Sequence, residues 1–256
     1  CEWFRNYCRW RMDYFMRNIS IIFGRKNSEG LKNKNIKKIF SIPMFLHVIN
    51  EAKRSKKISK IYVSSDSKKI LRESKKRGCE IINRPKYLCS NKALLSDAIF
   101  HATNFCMEKE KKIDNFIILL CNSICFDGKS IDEALNTINK NKNIDTITTV
   151  SKFNMFSPVR AVKIKRKRIE SFIPNSILKK YTNLSGDRNK STDSYFINHS
   201  FTITKASVFK KPKNNPMPFQ WMGKRKSFVK QPFCIGDVDF EWQIPVVKWW
   251  LKKFKN

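Results

Sequence analysis

The stretch Gly24-Arg25-Lys26-Asn27-Ser28-Glu29-Gly30-Leu31-Lys32-Asn33-Lys34-Asn35 follows a short apolar run at residues 19–23 and mixes a hydroxyl, two glycines and several cations. That combination suits a triphosphate. Backbone N–H groups and the Ser28 hydroxyl can donate to phosphate oxygens, while Arg25 and Lys34 can neutralise their charge. The spacing is neither G-x-x-x-x-G-K-[ST] nor G-x-G-x-x-G, so P-loop NTPases and dinucleotide enzymes are disfavoured. A second polar group, Gly236-Asp237-Val238-Asp239, lies near the other end, and in a chain of 21 acidic against 53 basic residues a D-x-D pair stands out. The plainer reading makes these acids the N-terminal charges of a following helix, favoured there by the helix dipole. The plainer reading of Arg25 and Lys34 is two solvated cations, and of Arg84, ahead of Pro85, a strand end.

The elements that must position these residues alternate. Residues 19–23 form a strand and 43–56 a helix, with Pro43 in its first turn and Phe45, Val48, Ile49 and Ala52 on one face. A strand at 60–64, a helix at 67–77 ending at Gly78 and a short strand at 80–83 follow. Next come a helix at 94–109, a buried strand at 115–120, a helix at 130–140 and a strand at 146–150. Strands separated by helices of this length imply βαβ units and a mainly parallel sheet. In an open sheet of that kind ligands sit beyond the carboxyl ends of the strands, where the 24–35 loop falls. Beyond residue 150 the pattern changes. Residues 158–165 and 195–204 are expected as later strands of the sheet, with an inserted flap or dimerisation element within 151–204 and a closing helix at 242–254.

The chain of 256 residues is long enough for one substantial α/β domain, and its 41% hydrophobic content excludes a disordered tail. A net charge of +32 alone would suggest nucleic acid or an anionic membrane. The basic residues are spread along the whole chain, so a Lys-rich solvated surface is preferred and nucleic acid disfavoured as a partner. The 8 cysteines form no C-x-x-C pair, which argues against zinc, and several sit beside apolar residues as free thiols of a reducing, cytoplasmic compartment would. No apolar run approaches a membrane span. Residues 1–18 are read as an extension, with Met12 or Met16 as the expected natural start, ahead of one domain at 19–256.

The 24–35 loop resembles the N-terminal signature of the acylneuraminate cytidylyltransferase (CMP-sialic acid synthetase) family, roughly A-R-x-G-S-K-G-x-x-x-K-N, with Arg25, Ser28, Gly30, Lys34 and Asn35 in register. Val63-Ser64-Ser65-Asp66-Ser67 is similar to its V-S-T-D-S strand end. Arg84-Pro85, Ala93 and His101-Ala102 keep its R-P…A…H-A spacing, and Gly236-Asp237-Val238-Asp239-Phe240-Glu241-Trp242-Gln243 resembles its late acidic motif. Four motifs in the right order cover about residues 19–251.

The resemblance implies a three-layer, Rossmann-like nucleotidyltransferase fold. It also implies transfer of CMP from CTP to the anomeric hydroxyl of a sialic acid-like acidic sugar, with Mg²⁺ and a homodimer. Carried over by position, Arg25, Ser28, Gly30 and Lys34 hold the triphosphate. Asn35, Arg84 and Ala93 line the cytidine pocket, and Asp237 and Asp239 hold the metal. Carboxylates two apart on a straight strand face opposite ways, but on a bend after Gly236 both can reach one hard cation. Arg25 and Lys34, with the two aspartates, are then the catalytic set, because positioning and charge stabilisation supply most of the rate in such transfers. Asn122 stands where the family has Gln and, with Arg160 as a carboxylate-binding candidate, is assigned to the sugar. Other departures are Glu29 at the family's loop Lys, Leu94 and Leu95 where many members have Ser, and Asn198-His199 at an N-G pair. Rival readings are a cytidylyltransferase for another sugar acid, such as a 3-deoxy-octulosonate, and a degenerate nucleotide- or nucleic-acid-binding protein.

Overall fold

The computed structural model describes residues 16–27, 30–180, 187, 190 and 192–255. Ser28, Glu29 and most of the 1–18 extension lie outside these. Strand β1 (Asn18–Phe23) is buried along its whole length. This is what an unbroken apolar run becomes when both faces of a parallel sheet are covered. It pairs in parallel with β4 (Lys60–Ser65) on one side and β6 (Asn115–Leu120) on the other, and β5 (Glu80–Asn83) extends the sheet beyond β4. Between β1 and β4 run a small hairpin, β2 (Lys38–Ile39) and β3 (Ile42–Pro43), and helix α1 (Met44–Arg54). Pro43 thus closes the hairpin and α1 starts one residue later than its apolar spacing suggests. Helices α2 (Lys68–Lys76), α3 (Leu95–Lys109) and α4 (Gly128–Lys140) fall where expected, α2 and α4 capped by Ser67 and Asp127, whose side chains accept from Ile70 N and Ser130 N.

The second half departs from expectation. β7 (Thr146–Lys152) is joined antiparallel to β10 (Tyr195–Lys205), which itself pairs antiparallel with β6. The 7-stranded order is β11-β7-β10-β6-β1-β4-β5. β11 (Lys226–Lys230) is an edge strand with no counterpart among the expected elements. Residues 158–165 do not form one strand of this sheet. They divide into a 3₁₀ turn at Pro158–Arg160 and β8 (Val162–Lys165), which pairs only with β9 (Arg168–Ser171). A short helix, α5 (Asn175–Leu178), follows. The β8–β9 hairpin and α5 lie between β7 and β10 in the chain, the hairpin outside the central sheet to which β10 belongs. His199 sits at φ 51° beside a register shift in β10, a left-handed conformation that favours the glycine of the family's N-G pair.

Helix α6 (Gln243–Phe254) closes the fold, packing Ile244, Val247, Trp250 and Leu251 into one core with α1 and α4; α3 and residues 206–222 cover the opposite face of the sheet. The result is a three-layer α/β/α domain. Buried Glu51 of α1 ties three helices together, accepting from Gly128 N at 3.2 Å and pairing with Lys255 Nζ, just past α6, at 3.1 Å. Among the described residues no helix is long and apolar enough to cross a membrane.

Candidate active site

The carboxyl ends of β1, β5 and β6 open onto a cavity of ≈ 220 Å³ lined by Gly24, Arg25, Lys34, Asn35, Arg84, Ala93, Leu94, Leu95, Asn122 and Asp237, among others. Residues more than two hundred positions apart in sequence meet here. Lys34, on the 3₁₀ turn Lys34–Ile36, pairs its Nζ with Asp239 Oδ1. Gly30 packs so closely on the acidic turn that a Cβ there would lie 2.5 Å from the Asp239 carbonyl oxygen. Gly236, at φ 68°, supplies the bend, and its own Cβ position is 2.2 Å from the Asn198 carbonyl oxygen. The cationic loop and the paired aspartates form one site.

Each wall has its own supports. Asn35 is buried and donates from Nδ2 to the Arg25 carbonyl at 2.7 Å, fixing the loop that carries Arg25. Arg25 donates to the Ser90 carbonyl at 2.9 Å, and Lys26 N to Asp66 Oδ1 at 2.6 Å, so the motif after β4 buttresses the loop. Arg84 is buried, held by Nη2 to the Ser64 carbonyl at 3.0 Å and stacked over Phe23 at 5.9 Å. Burial depresses its pKa, and no ion pair to it is present among the described residues. A buried cation facing a cavity without a carboxylate partner is suited to an electron-rich ligand. Ala93 lines the wall next to Leu94 and Leu95, consistent with a packing role against a flat ligand.

The acidic turn is equally supported. Val238 N donates to the Asn122 carbonyl at 3.0 Å, and Asn122 Nδ2 reaches the Val238 carbonyl at 3.2 Å and Asp239 Oδ1 at 3.3 Å. Gln243 Oε1 accepts from Asp239 N at 2.6 Å and Phe240 N at 2.8 Å. Asp237 Oδ1 is shut off from solvent and accepts no hydrogen bond. Burial, with repulsion from Asp239, pushes the Asp237 carboxyl up to about 7. Two hard oxygen donors on one turn, one of them unpartnered, fit a Mg²⁺ ion that takes one or two carboxylates and completes its shell with phosphate and water. No group of three or more His, Cys, Asp or Glu able to hold a metal occurs among the described residues.

The sequence-derived residues are thus largely brought together: Arg25, Gly30, Lys34, Asn35, Arg84, Ala93, Asn122, Asp237 and Asp239. Ser28 lies outside the described residues. Asn122 lines the cavity, and its amide Nδ2 also supports the acidic turn. Arg160 is exposed at the end of its 3₁₀ turn and does not line the cavity. Sequence reasoning missed Asp66, Ser90 and Gln243 as supports. Asp66 and Gln243 stood within motifs already singled out, whereas Ser90 acts through its carbonyl and leaves no signal in side-chain type.

Residues 19–203 match a family model described as cytidylyltransferase. A Helicobacter pylori protein, pseudaminic acid cytidylyltransferase and UDP-2,4-diacetamido-2,4,6-trideoxy-beta-L-altropyranose hydrolase, is 33% identical over 152 residues, 59% of this chain but only 29% of that longer protein. The post-translational flagellin modification protein B of Campylobacter coli is 27% identical over 242 residues, covering 91% of this chain and 94% of the relative. Among solved structures, CMP:2-keto-3-deoxy-manno-octonic acid synthetase complexed with CTP superposes with a TM-score of 0.64 at 13% identity, covering 93% of this chain and 99% of that one. At that identity the likeness concerns the fold.

Proposed function

The chain belongs to the cytidylyltransferase family, and from that premise we propose that it transfers CMP from CTP to the anomeric hydroxyl of a sialic acid-like nonulosonic acid, releasing pyrophosphate. The observation that carries this reading is the junction of the 24–35 loop with the Asp237–Asp239 turn, through Lys34 and Gly30. Arg25 and Lys34 take the phosphates, and Asn35 keeps the loop in shape. Arg84 and Ala93 face the cytidine. Asp237 and Asp239 would hold Mg²⁺, which would supply charge neutralisation to the phosphates. The named activity of the Helicobacter pylori relative supports a nonulosonic acid as acceptor.

A second cavity, ≈ 630 Å³, lies beside the acidic turn and is walled by Phe153, Met155, Phe156, Phe233 and Trp242. Its apolar walls favour an acceptor with acyl or deoxy substituents over a fully hydroxylated sugar.

We also propose a homodimer. On the β8–β9 hairpin the cross-strand pair Ile164 and Ile169 is 79% and 73% exposed. A two-stranded hairpin is marginal on its own, and such a face calls for a cover. The described cysteines are free thiols, which supports a cytoplasmic location.

The test is pyrophosphate release by purified protein with CTP, Mg²⁺ and a panel of nonulosonic acids, with 3-deoxy-octulosonate, UTP and ATP as competing arms. Release with CTP and a nonulosonic acid, lost in Asp237→Ala and Asp239→Ala, is expected. Release no higher than in those variants for every acid overturns the proposal.

A further inference from the structure

The side chain of Lys34 faces two claims. Its Nζ donates to Asp239 Oδ1, and Asn122 Nδ2 reaches the same oxygen at 3.3 Å. Lys34 also lines the cavity together with Arg25, Asn35 and Arg84, where the phosphates are placed. A divalent cation drawn to the unpartnered Asp237 oxygen and to Asp239 would lie within a few ångströms of the ammonium. Two cations that close repel strongly in a partly desolvated site. A triphosphate resolves the conflict, because it offers Lys34 another anion and leaves Asp239 to the metal.

We infer that Lys34 is an exchange residue that couples nucleotide and metal: it neutralises Asp239 until a triphosphate draws it away, so the aspartate pair takes a divalent cation weakly unless nucleotide is bound. The inference rests on the proposed reading of Asp237 and Asp239 as metal ligands. The coupling is reciprocal, since whatever CTP does for metal affinity the metal must do for CTP affinity. Arg25 does not serve the same purpose, because it forms no ion pair with a carboxylate among the described residues and donates instead to the Ser90 carbonyl.

The experiment uses Mn²⁺ as the probe, with no nucleotide or sugar, and reads free Mn²⁺ by electron paramagnetic resonance. Lys34→Met should bind Mn²⁺ about tenfold or more tighter than wild type, whereas Arg25→Met, which removes a cation from the same cavity without freeing a carboxylate, should change affinity less than about threefold. Lys34→Gln repeats the measurement with a shorter polar side chain should Lys34→Met fail to fold. Asp239→Asn should bind more weakly than wild type. Equal gains in the Lys34 and Arg25 variants, or no gain in either Lys34 variant, would overturn the exchange while leaving the metal site standing. If Mn²⁺ binding is indifferent to Asp237→Asn and Asp239→Asn, the metal reading itself fails and the exchange fails with it.

Discussion

Gly30→Ala tests whether the loop and the acidic turn work as one site. The added Cβ would lie 2.5 Å from the Asp239 carbonyl oxygen, while its next neighbours, Asp239 C at 3.5 Å and Phe240 Cε1 at 3.6 Å, are ordinary contacts. A comfortable carbon–oxygen contact is about 3.3 Å, so loop and turn must part by about 0.8 Å. Gly30 is exposed and belongs to no helix or strand, so the strain relaxes by displacement rather than by unfolding. A shift approaching 1 Å in a site that works by positioning costs up to about 10²-fold, so kcat/KM should fall about 10- to 100-fold. Steady-state pyrophosphate release with CTP varied gives that ratio, and thermal unfolding should show a melting temperature close to wild type. Wild-type kcat/KM in a folded Gly30→Ala protein would refute the reasoning, because the two segments would then hold their ligands independently.

Gly236→Ala combines a φ of 68° with a Cβ 2.2 Å from the Asn198 carbonyl oxygen; it should lower stability by about 1–3 kcal/mol in denaturant unfolding and impair catalysis as well. Glu51→Gln leaves the half-buried Lys255 without its counter-charge and removes the charge from buried Glu51, so a loss of about 1–3 kcal/mol is expected by urea titration. Glu110 is held below the usual carboxylate range by hydrogen bonds from Lys60 and from the Tyr62 hydroxyl. Its stabilisation is complete above the unfolded carboxylate pKa of about 4.3 and is lost as pH falls through the lower folded value. Glu110→Ala should therefore cost about 1–3 kcal/mol at neutral pH, with the gap to wild type narrowing under acid in thermal melts; a gap that widens there would contradict the sign.

The parallel half of the fold was legible because burial on both faces demands unbroken apolar runs, and 19–23 and 115–120 supply them between helices with clear faces. The second half was legible only in part: 146–150 and 195–204 match β7 and β10, but their antiparallel pairing and the strand β11 were not foreseen. β11 (KSFVK) carries two apolar residues, one of them Phe228 at 57% exposure, so an edge strand left no apolar run to detect. Residues 158–165 read as a sheet strand, yet Val162 and Ile164 are exposed and β8 pairs only with β9. In the site, residues acting through charge or a required bend, such as Lys34, Asp239 and Gly236, were readable from type and spacing. Contacts made to backbone atoms across the chain were not. Asn122 lines the cavity, but the hydrogen bond from its amide to a carbonyl 116 positions away could not be read from its type.

The distribution of charge accounts for how one basic chain can accommodate both the proposed phosphate site and the proposed metal site. With 53 basic residues, exposed positive charge is everywhere and is screened within about 8 Å at physiological salt. It can gather nucleotides near the surface but cannot orient a triphosphate. Orientation needs cations held in place beside the cavity, as Arg25 is by the Ser90 carbonyl and Arg84 by the Ser64 carbonyl. The scarce acids serve the same end: Asp66 buttresses the loop, and Asp239 sets the position of Lys34. A further surface lysine would therefore alter CTP association and its salt dependence, whereas losing any one of these fixed contacts would alter the chemistry itself.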